Sequence, residues 1–117
     1  MDKKNDFLNS EKAFHILKEI ENNQNISQRD LSKKLDISLG KTNFFLNAFI
    51  EKGMVKITKF KNDKHKLGYM KILTPHGIKK KIELTYKLYL KKSAEYEALK
   101  RDIAGLKNSN SNKKLFT

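Results

Sequence analysis

The chain has 117 residues, with 26 lysines and arginines against 13 acids and no cysteine. A formal net charge of +13 favours a polyanionic partner, and the absence of cysteine excludes a disulfide framework and any thiolate metal site. The length suits one small domain with an extension, and no stretch approaches the ~18 apolar residues of a membrane span or carries an apolar signal core, so a cytoplasmic, nucleoid-associated protein without a membrane partner is expected.

Residues 1–6 are polar and read as an unstructured N-terminus. A first helix is expected from Ser10 to about Asn22, with Phe14, Leu17 and Ile20 on its buried side and Ala13 and Ile16 widening it. Asn22 to Asn25 supply its stop. His15 falls on this helix with no chemistry assigned.

Residues 26–52, ISQRDLSKKLDISLGKTNFFLNAFIEK, are the most informative part of the chain. Ser27 is suited to cap a helix, because its hydroxyl accepts from an otherwise unpaired amide. Leu31 and Leu35 face inward, and Ser32 is small where two helices approach. Asp36 and Ile37 make a turn, with Ile37 plugging the corner, and Ser38 caps the next helix. On that helix Thr42, Phe45, Leu46 and Phe49 recur at i, i+3, i+4 and i+7, which makes one buried stripe. Two short helices joined in this way form a helix-turn-helix, whose second helix lies in the major groove.

Gly40, Lys41, Asn43, Phe44 and Asn47 fall outside the stripe. Gly40 lets a phosphate or base edge come close. Asn43 and Asn47 can pair with adenine's major-groove edge, and Lys41 can reach guanine or a phosphate. The alternative for the two asparagines is a plain solvated face. Phe44 wants apolar contact, from thymine methyl groups or from packing on the hairpin or on a second copy of the chain. Ser27, Gln28 and Arg29 at the start of the preceding helix complete the expected contact set on this side.

Gly53 stops the second helix. Two β-rich runs follow, MVKITKF from Met54 and LGYMKIL from Leu67, separated by a polar turn. Lys59, Lys61, Lys64, His65 and Lys66 on and around that hairpin suit phosphate or minor-groove contact. Helices plus a hairpin make a winged helix over residues 7–74, with residues 55–73 as the wing. Ile57 joins Leu31, Leu35, Phe45 and Phe49 in the expected core.

Thr74 and Pro75 start a last helix, as cap and first-turn proline. It is expected over residues 75–107, roughly 33 residues and on the order of 50 Å, too long for so small a domain to cover. Ile78, Ile82, Thr85, Tyr89, Lys92, Tyr96, Leu99, Ile103 and Leu106 are spaced alternately by four and three, an a/d seam with a charged break at Lys92. Such a seam needs a partner. A second copy is the simplest, giving a homodimer through Ile78, Ile82, Tyr89, Tyr96, Leu99, Ile103 and Leu106; the alternative is a helix folded back on its own domain. Residues 108–117 read as an unstructured tail.

The charge is not spread evenly. Residues 53–92 hold 12 basic and 2 acidic side chains, against 9 and 8 in residues 1–52, so the hairpin and the start of the last helix form the expected electrostatic footprint. The second helix of the pair stays nearly neutral, as suits a reader of bases rather than of phosphates.

The segments SQR-x-L, ISLGK-x-N, KG-x-VK, LTP-x-GI-x-x-K and EYE-x-L carry a resemblance, covering about residues 16–103, to the small MarR-type winged-helix regulators associated with exopolysaccharide and capsule gene clusters. The resemblance implies a DNA-binding transcriptional regulator of surface-polysaccharide genes, dimeric through its terminal helices, with Ser38, Gly40, Lys41 and Asn43 at the DNA. The chain departs from larger MarR proteins in having no long N-terminal dimerisation segment and no legible pocket for a phenolic ligand, so its effector is left open.

The expected fold is therefore mainly α with a small β-hairpin: a winged helix-turn-helix plus a long C-terminal dimerisation helix. The expected partners are double-stranded DNA and a second copy, with no cofactor. Catalysis is not expected, since the three histidines are scattered and no nucleophile–base pair or phosphate loop is present. Two rival functions share these features, a non-specific architectural DNA protein and a winged-helix protein-interaction module. A specific regulator keeps its preference for its own site as salt rises, whereas an architectural protein loses affinity for all duplexes in parallel.

Overall fold

The structure is a computed structural model that describes residues 3–61, 63–64 and 67–113, with side chains described from residue 6 to 108 within those ranges. Its elements run α1 (Lys3–Leu8), α2 (Glu11–Asn22), α3 (Gln28–Leu35), α4 (Leu39–Glu51), β1 (Val55–Lys61), β2 (Leu67–Leu73) and α5 (Pro75–Lys113). This is the expected mainly α winged helix-turn-helix with a two-stranded antiparallel hairpin and a long last helix.

The helices α2 to α5 each start where a short hydroxyl side chain can take up a free amide. Ser10 Oγ accepts from Ala13 N (3.2 Å), Ser27 Oγ from Asp30 N (2.9 Å), Ser38 Oγ from Lys41 N (3.0 Å) and Thr74 Oγ1 from Gly77 N (3.1 Å). The turn between α3 and α4 is closed by Asp36, whose backbone is left-handed at φ 53°, and by Ile37 N donating to Ser32 O at 3.0 Å. Gly53 takes φ 72° after α4, and Met54 N then donates back to Phe49 O at 2.8 Å. That bond is the mark of a left-handed helix stop, which glycine adopts without a Cβ penalty.

The core lies where α2, α3 and α4 meet the base of the hairpin. Ile16, Leu17, Ile20, Leu31, Phe45 and Phe49 are fully buried, and Met54, Val55 and Leu84 close the cluster. Phe14, Leu35 and Ile37 are partly buried against it. Lys34 pairs with Glu19 at 2.7 Å, and Lys12 Nζ donates to Leu35 O at 2.9 Å, so two cations pin α3 to α2.

The hairpin pairs Val55 with Leu73 at its base and Lys61 with Leu67 at its far end. Ile57, expected in the core, is 38% exposed. It stands opposite Lys71 in the ladder, and Lys71 is only 8% exposed. The lysine therefore occupies the interior place that the sequence pattern gives to an apolar residue. Its Nζ donates to Ile26 O at 2.7 Å, and its backbone N–H donates to Gln24 O at 2.8 Å. Burial pushes the Lys71 ammonium below the ordinary lysine range.

Helix enters both ends of the chain where the composition predicts unstructured segments. At the front, α1 begins at Lys3, held by Leu8 in the core and Phe7 against α4. At the back, α5 reaches Lys113 rather than stopping at 107.

Contacts divide the chain into two compact units, one up to Thr85 and one from Tyr86 onward. In the first, the start of α5 is tied down closely. Thr74 N donates to Met54 O (3.0 Å), Thr74 Oγ1 donates to Gly53 O (2.6 Å), and a Cβ on Gly77 would collide with the Met54 carbonyl. Lys81 pairs with Glu21, and Lys80 Nζ donates to Asn9 Oδ1 at 2.6 Å. In the second unit the helix carries exposed Tyr89, Tyr96, Leu99, Ile103 and Leu106, with Lys92–Glu95 and Glu97–Lys100 pairs one turn apart.

Candidate nucleic-acid interface

The second helix of the helix-turn-helix divides into two faces. Thr42, Phe45, Leu46, Ala48 and Phe49 are buried, and Thr42 hides its hydroxyl by donating to Ser38 O at 2.9 Å. Leu39, Gly40, Lys41, Asn43, Phe44, Asn47, Ile50 and Glu51 remain exposed.

On the exposed face a Cβ added at Gly40 would meet, beyond its own stretch of helix, none of the described residues within 4 Å. Asn47 Nδ2 donates to Asn43 Oδ1 at 3.4 Å, so the two amides form a weak i,i+4 pair. The pair leaves Asn47 Oδ1, one amide hydrogen of Asn47 and both of Asn43 for an outside partner. Two side chains and one glycine thus make a small polar surface about two turns long.

Lys41 and Phe44 lie elsewhere on the helix. At about 100° per residue, Lys41 sits roughly 160° around from Asn43, and its Nζ lies 5.8 Å from the centroid of the Phe7 ring. Phe44, for which sequence leaves thymine methyls, the hairpin or a second copy as contacts, meets the ring of Phe7 edge-on at 5.1 Å. It remains 39% exposed. Phe7 is the contact that sequence reading misses. A lone aromatic next to the polar segment 1–6 carries no periodic signal, and α1 is too short to show one.

Ser27 and Arg29 are exposed at the start of α3, and Gln28 is half-buried. Ser27 and Ser38 both use their hydroxyls as helix caps. On the wing, Lys56, Lys59, Lys61 and Lys64 are exposed, while His65 and Lys66 fall outside the described residues. Lys56 is exposed on the opposite face of β1 from Lys59 and Lys61.

The expected footprint at the start of the last helix is revised. Lys80 and Lys81 bond to Asn9 and Glu21, on the turn before α2 and on α2 itself. These two lysines clamp the start of α5 to the domain, while Lys79 beside them stays exposed. Among the described residues no group of three His, Asp or Glu side chains could hold a metal ion, and no helix is long and apolar enough to cross a membrane.

Residues 10–56 match a family model described as winged helix-turn-helix DNA-binding. No curated protein matches the chain. Solved structures do resemble it. MepR, the transcription regulator of the Staphylococcus aureus multidrug efflux pump MepA, is 18% identical with a TM-score of 0.57, over 91% of this chain and 77% of MepR. The PcaV transcriptional regulator of Streptomyces coelicolor, solved with its natural ligand, is 12% identical with a TM-score of 0.56, over 82% and 74% of the two chains. The M. tuberculosis transcriptional regulator MosR is 16% identical with a TM-score of 0.53, over 88% and 77%. The chain therefore carries a winged helix-turn-helix over residues 10–56, with a fold it shares with the transcriptional regulators MepR, PcaV and MosR.

Proposed function

We propose that the protein is a sequence-specific regulator of transcription that binds double-stranded DNA as a homodimer. In this reading α4 enters the major groove with Gly40, Asn43 and Asn47 toward the bases, and the β1–β2 wing sets its lysines against the backbone or minor groove. The observation that carries it is the outward face of α4, where a glycine and an amide pair stand exposed and none of the described residues packs where a Gly40 Cβ would lie. The match of residues 10–56 to a winged helix-turn-helix DNA-binding model supports it independently.

The homodimer rests on α5. Its seam positions are exposed, from 44% at Ile78 to 66% at Tyr89. Burying such a stripe against a second copy removes apolar area from water at about 25 cal/mol per Å². Two copies would offer two recognition helices to a two-fold site, with half-sites roughly 34–36 Å apart. The target genes we favour are those for surface polysaccharide, on the strength of the ISLGK-x-N and LTP-x-GI segments alone.

Selection of bound sites from random duplex by the purified protein tests the reading. A symmetric motif is the expected outcome; recovery of sequences with no motif would leave the architectural role instead. With a selected site in hand, Asn43→Ala should cost about 1–3 kcal/mol at one base position and relax the choice there. Unchanged discrimination would mean that this side of α4 does not read bases. Genome-wide occupancy away from polysaccharide genes would remove the proposed targets and leave the DNA-binding reading standing.

A further inference from the structure

We propose that α1 is part of the DNA-binding surface, and that Phe7 is a positioning residue which holds the Lys41 ammonium at the flank of the recognition helix. The inference rests on the DNA-binding reading above.

Phe7 reaches from α1 to the outer side of α4. Its ring meets Phe44 at 5.1 Å and Phe45 at 5.6 Å, both edge-on, with interplanar angles of 63° and 78°. Phe45 is fully buried and stacks in turn on Phe49 at 6.4 Å. One buried and one exposed ring therefore grip Phe7, and Phe7 remains 37% exposed. Onto this ring Lys41 brings its Nζ, 5.8 Å from the centroid, within the range over which an aromatic quadrupole attracts a cation.

The backbone behind the ring is equally constrained. Phe7 O accepts from Ser10 N at 3.1 Å and from Ser10 Oγ at 2.6 Å. The same Ser10 oxygen caps α2. Asn9, in the turn between the two helices, accepts from Lys80 at the start of α5. The ring is thus anchored to α2 and α5 as well as to α4.

An unrestrained lysine at the first turn of a recognition helix samples many rotamers, and ordering it on DNA costs conformational entropy. Held over Phe7, the ammonium is already placed on the side of α4 away from Asn43. That side faces a wall of the groove when the amides face its floor, so the partner for Lys41 is a phosphate. The contact is electrostatic and needs a ring, because an aliphatic side chain of similar bulk has no quadrupole. Phe44 then serves as a support for Phe7.

The test is a double-mutant cycle on a selected duplex, with affinity measured across a salt series and folding followed by thermal unfolding. Phe7→Leu should weaken binding by about three- to tenfold, and Phe7→Tyr, which keeps the ring, should stay within about twofold of the parent. In a Lys41→Gln background Phe7→Leu should have almost no further effect, because the cation it positions is gone. If Phe7→Leu unfolds the domain, Phe7→Met is read through the same cycle. An equal loss in both backgrounds makes Phe7 a fold residue only and overturns the proposal, as does a Phe7→Leu protein that binds like the parent. A parent protein that binds no duplex sinks the DNA-binding reading and this inference together, whereas a parent that binds with a flat cycle sinks this inference alone.

Discussion

Gly40 illustrates a residue whose identity the folded chain does not explain. It sits in the first turn of α4 with open space where a Cβ would be. Glycine inside a helix costs about 0.5–1 kcal/mol relative to alanine, so Gly40→Ala should stabilise the protein by about that amount in urea unfolding. The same methyl group should weaken operator binding about tenfold or more if a phosphate or base edge closes on that spot. A variant both more stable and equal in binding would remove close approach as the reason for the glycine. Gly77 is the contrasting case, since the Met54 carbonyl occupies the place of its Cβ and packing alone demands it. Both glycines are visible in sequence, and only the folded structure shows which of them packing demands.

At the scale of elements, the wing is held by an unusual strut. Lys71 on β2 reaches Ile26 O, 45 positions away, and is buried in doing so. Its ammonium is depressed by desolvation, so the folded protein gives up this proton at lower pH than the unfolded chain does. Below the folded value both states are protonated and the cost of burial is fully present. As pH rises from the folded value toward the ordinary lysine value, the unfolded chain binds more protons, and stability from this group must increase. The parent protein should therefore gain stability relative to Lys71→Met across that alkaline window, read as urea midpoints at several pH values. A constant difference would mean that Lys71 does not titrate differently on folding. In the proposed complex the outer part of the wing lies on the DNA backbone or minor groove. Lys61→Ala at the end of β1 should weaken all duplexes alike and lower the slope of log affinity against log salt by about one unit. An unchanged slope would take this end of the hairpin out of the interface.

For the whole molecule the decisive question is how α5 is covered. Leu99 and Ile103 are 58% and 51% exposed, and a helix side of this kind is unfavourable in water. Leu99→Glu would set a charge into each half of a two-fold seam. Sedimentation should then show the parent as a dimer at micromolar concentration and the variant as a monomer with weakened binding to a two-fold site. A parent already monomeric would return α5 to the alternative of folding back on its own domain.

Sequence alone determined the local architecture. Ser10, Ser27, Ser38 and Thr74 as helix starts, Gly53 as a stop and the two β-rich runs were all legible, because each depends on a side chain acting on backbone within a few residues. The outward placement of Gly40, Asn43 and Asn47 was legible for the same reason, as it follows from helical periodicity. Tertiary structure alone decided the partners of the cations and the lone aromatic. Lys80 bonds to Asn9, 71 positions away, Lys81 to Glu21, 60 away, and Lys71 replaces Ile57 in the interior. A long, flexible lysine has no periodic signature, and its carbon stem lets it serve interior, clamp or surface equally. Its destination is set by which acceptors the assembled helices bring near, and Phe7 likewise gains its meaning only when α4 lies beside it.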